Sequence, residues 1–180
     1  LFSLFFAPFY YDGDQVAYTN AYNAVIGSDF FGGYALYYFR VNAGEPIHYL
    51  IVWVASNLGF AKNFVMAIAN SFLAYLIMRV FVQWRVSVYI AVVVIFTNYY
   101  LLVLYFAAER LKFGFIFLML SLLYRSQLKL SVAFAITAVL SHLQQILIYA
   151  SVVFSSVMKN VWYTLSTTKL GLKTIFSLII

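Results

Sequence analysis

Long apolar runs without charged residues dominate the chain. They occupy 63–78, 86–108, 113–124 and 130–158. A helix crosses the hydrocarbon core of a bilayer in about 20 residues, so runs of this kind are typical of membrane spans. The pattern predicts an all-α, polytopic transmembrane helix bundle, with spans at 63–83, 86–106, 107–125 and 130–150.

Composition agrees with this class. The chain is 66% hydrophobic and 9% charged, with mean hydropathy +0.94, whereas soluble domains are about 25% charged. No linker or repeat divides the chain, so we expect one transmembrane domain over 1–180. Because the sequence starts with Leu1 and ends in an apolar run, we expect it to be a fragment of a longer chain. Zero cysteines exclude disulfides and thiolate metal sites. The +6 charge is scattered between apolar runs, which argues against nucleic acid.

Basic residues orient the spans. Arg79 with Arg85, and Arg125 with Lys129, flank two breaks that contain no acid. Because cytoplasmic connections are enriched in Lys and Arg, we assign both breaks to the cytoplasm. The span at 107–125 then has its first residues on the outer side.

Residues 10–60 form the predicted outer region. The apolar piece 47–60 would reach only about 21 Å as a helix, short of a bilayer core, and Pro46 suits a first helical turn. We therefore expect a juxtamembrane helix that does not cross. The acidic loop 10–46 is then extracytoplasmic.

Within this loop we expect two helical pieces. Asp12 or Asp14 is predicted to cap a helix that runs to about Ile26. Glycines then interrupt the pattern before a second, aromatic piece at 34–39; they are Gly27, Gly32 and Gly33.

The carboxylates of this region are the first candidate functional groups. Asp12 and Asp14 flank Gly13 and could deprotonate a sugar hydroxyl or hold a divalent cation, or be a helix cap and a solvated acid. Glu45 precedes Pro46 at a helix N-terminus, where the helix dipole alone would favour an anion.

A second candidate lies at the mouth of the 107–125 span. Glu109, Arg110 and Lys112 are at the membrane boundary, where charges are costly and usually functional. Arg110 and Lys112 suit a phosphate or pyrophosphate. The alternative is an interfacial cluster in which Glu109 pairs with Arg110.

His142 is a third candidate, in the outer half of the 130–150 span. Gln145 and Tyr149 follow on its helical face at i+3 and i+7. His142 could donate to a substrate phosphate or sugar, or could be an ordinary contact between helices. Aromatic side chains of the acidic loop could stack on sugar rings; they are Tyr10, Tyr11, Tyr18, Tyr22, Phe30 and Phe31.

Taken together over about residues 10–150, these elements resemble the bacterial Wzy-type O-antigen and capsule repeat-unit polymerases, specifically the EpsG-like branch. The resemblance rests on the order and spacing of five elements: Asp12-Gly13-Asp14 followed by Tyr18 and Tyr22, Glu45-Pro46, Asn98-Tyr99-Tyr100, Glu109-Arg110-Leu111-Lys112-Phe113, and Ser141-His142. The wider glycosyltransferase-C superfold is similar too, with a first outer loop that carries juxtamembrane helices. Members usually have ten or more spans, and this chain ends after about five.

The resemblance implies a glycosyltransferase of the bacterial inner membrane whose site faces the periplasm. It would join undecaprenyl-diphosphate-linked oligosaccharide repeat units, with a chain-length regulator protein as a further partner and no required cofactor. It implies a base at Asp12 or Asp14 and supporting acids at Glu45 and Glu109. Arg110, Lys112 and His142 would hold the pyrophosphate. The alternatives are a single-sugar transferase that uses undecaprenyl-phosphate-sugar, and a lipid-oligosaccharide flippase.

Overall fold

The computed structural model describes the backbone of residues 13–167 and the side chains of 13–163. Within these residues it is all-helical, as predicted, without a strand. The helices are, in chain order, α1 (Asp14–Ala24), α2 (Phe30–Val41), α3 (Pro46–Asn57), α4 (Lys62–Gln83), α5 (Val88–Thr97), α6 (Tyr99–Phe106), α7 (Glu109–Leu123), α8 (Leu128–Ser141) and α9 (Gln145–Thr167).

Two or three of the described helices are long and apolar enough to cross a membrane. The first is α4, with 22 residues and mean hydropathy 1.9 in its best window. The segment Gln145–Tyr163 of α9 has 19 residues at 1.3. The third candidate is α5 with α6, if that bent pair counts as one span.

Two compact units make up the chain, one ending at Gln145 and the other beginning at Ile146. The first holds α1 to α8 and every candidate site residue within the described part of the chain. The second holds most of α9. The assignment of one transmembrane domain to 1–180 stays a prediction.

The predicted span at 86–106 consists of two helices rather than one. The segment bends by 59° between α5 and α6. At the bend, the backbone of Asn98 is extended and its side chain accepts a hydrogen bond from the Leu101 backbone N–H at 3.2 Å. Asn98 therefore ends one helix and caps the next, as a short polar side chain can.

The predicted span at 130–150 is also not one helix. The helix α8 ends at Ser141, His142 is extended at φ −164° and ψ 119°, and α9 begins at Gln145. The predicted i+3 and i+7 face from His142 to Gln145 and Tyr149 is therefore wrong. With only 14 residues, α8 is shorter than a bilayer core requires.

The helices α1, α2 and α3 share a small core. Its buried side chains are Ala21, Tyr22, Val25, Tyr37, Tyr49, Val52 and Ala55. The apolar piece predicted at 47–60 is helical from Pro46, which occupies the first turn of α3 as expected.

Two predictions for this region are wrong: where the glycines interrupt the helices, and which residue caps the first helix. Gly32 and Gly33 lie inside α2, because the Asp29 carboxylate caps that helix by accepting from the backbone N–H groups of Phe31 and Gly32. Asp14 does not cap α1. The N-cap residue is Gly13 at φ 62°, without a side-chain cap, and Asp14 is the first helical residue.

A second core joins α4, α5, α6 and α7. Its central buried side chains include Leu73, Leu76, Ile77, Leu104, Phe113 and Ile116. The helix α7 packs against both α4 and α8, and α8 in turn packs against α3. This arrangement brings the N-terminal turn of α7 and the end of α8 to the start of α3.

Candidate functional site

Glu45 is the centre of a charged cluster assembled from three distant segments. Arg110 Nη1 lies 3.1 Å from both Glu45 carboxylate oxygens, and His142 Nδ1 lies 3.0 Å from Oε1. The Glu45 residue is 8% exposed, while the side chains of Arg110 and His142 are 22% and 16% exposed. The cluster therefore lies at the edge of the bundle, where a ligand can reach the side chains of Arg110 and His142.

Local structure explains how each member reaches the cluster. Glu45 is the N-cap residue of α3 but makes no side-chain cap bond, so its carboxylate is available for Arg110 and His142. Arg110 lies in the first turn of α7. His142 lies in the extended break after α8, and the break lets its ring reach α3 rather than follow the helix face.

Tyr18 supports Arg110 from α1. Its hydroxyl accepts a hydrogen bond from Arg110 Nε at 3.0 Å, and the guanidinium carbon lies 5.8 Å from the ring centroid. Because Tyr18 is 5% exposed, its ring is a wall of the site, and a sugar cannot stack on it without displacing neighbours. Tyr22 is buried too, and its hydroxyl donates a hydrogen bond to the Phe60 carbonyl at 2.8 Å.

Glu109 belongs to a separate ion pair. Its Oε1 lies 2.7 Å from Lys62 Nζ, which also donates to Gln15 Oε1 and Thr19 Oγ1 at 3.0 Å each. The alternative in which Glu109 pairs with Arg110 is therefore wrong. The sequence reasoning missed Lys62 and Gln15, because their pairing depends on α1 and α4 lying beside the start of α7.

Lys112 and Gln145 lie behind the cluster and are fully buried. Lys112 is 1% exposed and donates to the Tyr105 carbonyl at 3.0 Å. Gln145 is 0% exposed, and neither polar atom of its amide has a hydrogen-bond partner in the part of the chain that the structure describes. Because both side chains are buried, Lys112 can act on a ligand only through its charge or after a rearrangement, and the neutral Gln145 only after a rearrangement.

A buried Tyr37–His48 pair adjoins the cluster and was not predicted. The Tyr37 hydroxyl lies 2.6 Å from His48 Nδ1, and the His48 ring contacts the rings of Tyr18 and Phe113. Burial lowers the pKa of His48 to about 3, against the opposing charge of Glu45. His48 is therefore neutral. Its Nε2 has no partner among the described side chains and carries the proton if Nδ1 accepts from Tyr37.

Electrostatics keep Glu45 ionised. Burial alone would raise the pKa of this carboxyl, but the hydrogen bond with His142 and the charge and hydrogen bond of Arg110 outweigh burial and lower the pKa to about 2. Burial raises the pKa of Tyr18, and Arg110 opposes the rise only in part. The cluster at neutral pH thus contains a fixed carboxylate, a guanidinium and a neutral phenol.

Asp14 is the one predicted catalytic acid that is both described and exposed. It lies one helical turn before Tyr18 on α1, close enough to raise the pKa of that hydroxyl. Asp12, with Tyr10 and Tyr11, lies outside the described residues. Among residues 13–163, no three His, Asp or Glu side chains are grouped as a metal site would require.

No family model matches the sequence, and neither the curated proteins nor the solved structures include a significant match.

Proposed function

We propose that this protein is a membrane glycosyltransferase that joins undecaprenyl-diphosphate-linked oligosaccharide repeat units on the outer face of the bacterial inner membrane. The observation that carries the proposal is the contact of Arg110 and His142 with one carboxylate, Glu45. Two donors for phosphate oxygens converge there at the edge of an apolar bundle. Ionisable groups in such places are usually functional.

Arg110 is the proposed anchor of the diphosphate. A guanidinium presents several N–H groups in a planar fork that matches phosphate oxygens, and only Nε and Nη1 have partners in the described part of the chain. His142 would add a donor on the same side of Glu45. Both of its ring nitrogens face oxygen atoms, Glu45 Oε1 at 3.0 Å and Gln144 Oε1 at 3.2 Å.

Glu45 is better suited to positioning than to proton transfer. A carboxylate whose pKa is lowered to about 2 is a poor acceptor for a hydroxyl proton. Its contacts instead fix the side chains of Arg110 and His142 relative to each other. The proposed proton acceptor is Asp14, the first residue of α1, or Asp12.

The proposed reaction is a displacement at the anomeric carbon of the donor sugar. An acceptor hydroxyl oxygen forms the new glycosidic bond, and the bond from the anomeric carbon to the diphosphate oxygen breaks. The hydroxyl proton passes to the aspartate, and undecaprenyl diphosphate leaves with the bonding electrons. Arg110 and His142 stabilise the charge on this leaving group, with Lys112 contributing at a distance.

Two other functions fit a charged site at a membrane boundary. One is transfer of a single sugar from undecaprenyl-phosphate-sugar, and the other is movement of a lipid-linked oligosaccharide across the bilayer. Transporters tend to hold their substrate near the bilayer midplane, whereas the present cluster lies at the first turn of α7. A chain-length regulator protein would be the partner of the polymerase alone.

The test is incubation of the purified full-length protein with an undecaprenyl-diphosphate-linked repeat unit, followed by gel analysis of the lipid-linked products. We expect a ladder of products that differ by whole repeat units. A single added sugar from an undecaprenyl-phosphate donor would favour the transferase alternative. Transbilayer movement in vesicles without new glycosidic bonds would contradict enzymatic activity.

A further inference from the structure

The opposite end of α4 and α7 contains a cavity of about 560 Å³, away from the Glu45 cluster. Its walls include Phe72, Tyr75, Leu76, Arg79, Leu120 and Tyr124. Lys62 and Arg79 are 17 residues apart on α4, so the helix separates them by about 26 Å. Since a bilayer core is about 30 Å thick, the two residues lie near opposite membrane boundaries if α4 spans the membrane.

Among the described residues, no acid compensates the charge of Arg79 at this end. Arg79 donates one hydrogen bond, to the Tyr75 hydroxyl at 3.1 Å, and its guanidinium lies 5.9 Å from the centroid of that ring. No carboxylate pairs with Arg79 among the described side chains. The acid nearest in sequence to the α7 wall is Glu109, at the other end of that helix and paired with Lys62.

The charged residues nearest in sequence to the cavity ends of α4 and α7 are also positive. Arg85, Arg125 and Lys129 lie in or beside the connections that follow α4 and α7, and residues 110–180 contain no acid. The apolar part of the wall comes from two helices that pack together, with Phe72 and Leu76 on α4 and Leu120 on α7. A ligand that fits both parts has an anionic head and an apolar body.

We infer that this cavity binds a membrane phospholipid with an anionic headgroup, whose phosphate contacts Arg79 and whose acyl chain lies along Phe72, Leu76 and Leu120. Arg79 is the discriminating residue because its guanidinium can bind two phosphate oxygens at once. Tyr75 holds the guanidinium in place. The site is separate from the Glu45 cluster and would anchor the basic end of the bundle in an anionic leaflet.

The experiment is native mass spectrometry of the full chain released from detergent, with phosphatidylglycerol and phosphatidylcholine added in equal amounts. We expect preferential retention of phosphatidylglycerol by the wild type. Arg79→Ala should weaken that binding about tenfold, the effect of losing one charge-assisted contact. Arg125→Ala is the matched control, because it removes the same charge without lining the cavity and should retain the lipid.

Three results would overturn this site. Equal binding of phosphatidylglycerol by Arg79→Ala and the wild type would show that the cavity does not hold the headgroup. Equal losses in Arg79→Ala and Arg125→Ala would show attraction to general surface charge. Displacement of the lipid by an equal concentration of inorganic phosphate would show an anion site without a lipid component.

If Arg79→Ala does not fold, Arg79→Lys decides the question. Lysine keeps the charge but lacks the planar fork, so phosphatidylglycerol affinity should fall while folding is retained. Unchanged affinity in a folded Arg79→Lys protein would contradict the proposed contact.

Discussion

The Glu45 carboxylate and the Arg110 guanidinium form a contact in which Nη1 lies 3.1 Å from both carboxylate oxygens. The two residues are 65 positions apart in the sequence, so the contact fastens the start of α3 to the first turn of α7. Removing only one partner would leave the other charge partly buried without compensation.

Removal of Glu45 should therefore destabilise the bundle through Arg110. In a double-mutant cycle of Glu45→Gln and Arg110→Gln, we expect a coupling energy of about 1–3 kcal/mol, typical of a hydrogen-bonded charge pair. The measurement is unfolding of the detergent-solubilised protein at neutral pH. Asp14→Asn is the control, because Asp14 is exposed and should change stability by less than about 0.5 kcal/mol. Additive effects of the two substitutions would contradict the coupling.

Stability should fall with acidity in a window set by His48. Its pKa is about 3 in the fold against 6.5 as the ordinary value, so the unfolded chain binds more protons between these pH values. The free energy of unfolding is therefore unaffected by His48 titration above pH 6.5. Below that pH it falls, by at most about 1.4 kcal/mol per pH unit.

The measurement is unfolding of the wild type and His48→Gln between pH 7 and pH 5. The wild type should lose more stability over this range, since Gln does not titrate. Glu45→Gln should keep the wild-type slope there, because its window lies lower, from 4.5 down to about 2. Parallel curves for the wild type and His48→Gln would contradict a buried neutral histidine.

Gly114 should be intolerant of a side chain. A Cβ at this position would lie 2.8 Å from Gln145 Nε2 and 3.1 Å from Gln145 Cγ, and Gln145 is fully buried. We expect Gly114→Ala to cost about 1–3 kcal/mol, the usual range for overpacking. Gln145→Ala removes the clashing atoms, so Gly114→Ala should cost less in that background. An equal cost in both backgrounds would show that the contact is not the cause.

The orientation can be tested with single cysteines, because the chain has none of its own. Asn23→Cys, at an exposed position of α1, should react with an impermeant thiol reagent in intact spheroplasts. Ser126→Cys, in the basic connection after α7, should react only after lysis. The reverse pattern would put the Glu45 cluster in the cytoplasm and contradict the proposed function.

Local sequence signals predicted part of this fold. Pro46 correctly indicated the first turn of α3, and the apolar run after Lys62 indicated α4. The helix breaks at Asn98 and His142 were missed because apolar runs cross both positions. A side-chain cap at Asn98 and a contact with Glu45 at His142 accompany these breaks.

For the candidate site, too, sequence predicted some features and not others. The positions of Glu45, Arg110 and His142 in an apolar sequence marked them as candidates, and the structure brings them together. Sequence could not assign ion-pair partners. An ion pair of Glu109 with its sequence neighbour Arg110 was the predicted alternative, but Glu109 pairs with Lys62. Nor could it distinguish exposed from buried cations, and Lys112 proved to be 1% exposed.

The most direct measurement is equilibrium binding of an undecaprenyl-diphosphate-linked repeat unit to the wild type and to Arg110→Lys. Lysine keeps the charge but loses the fork that contacts Glu45, Tyr18 and the proposed diphosphate, so affinity should fall about tenfold. Arg40→Lys, on the exposed face of α2, is the matched control and should bind as the wild type does. Equal affinity of Arg110→Lys and the wild type would contradict a diphosphate site at the Glu45 cluster.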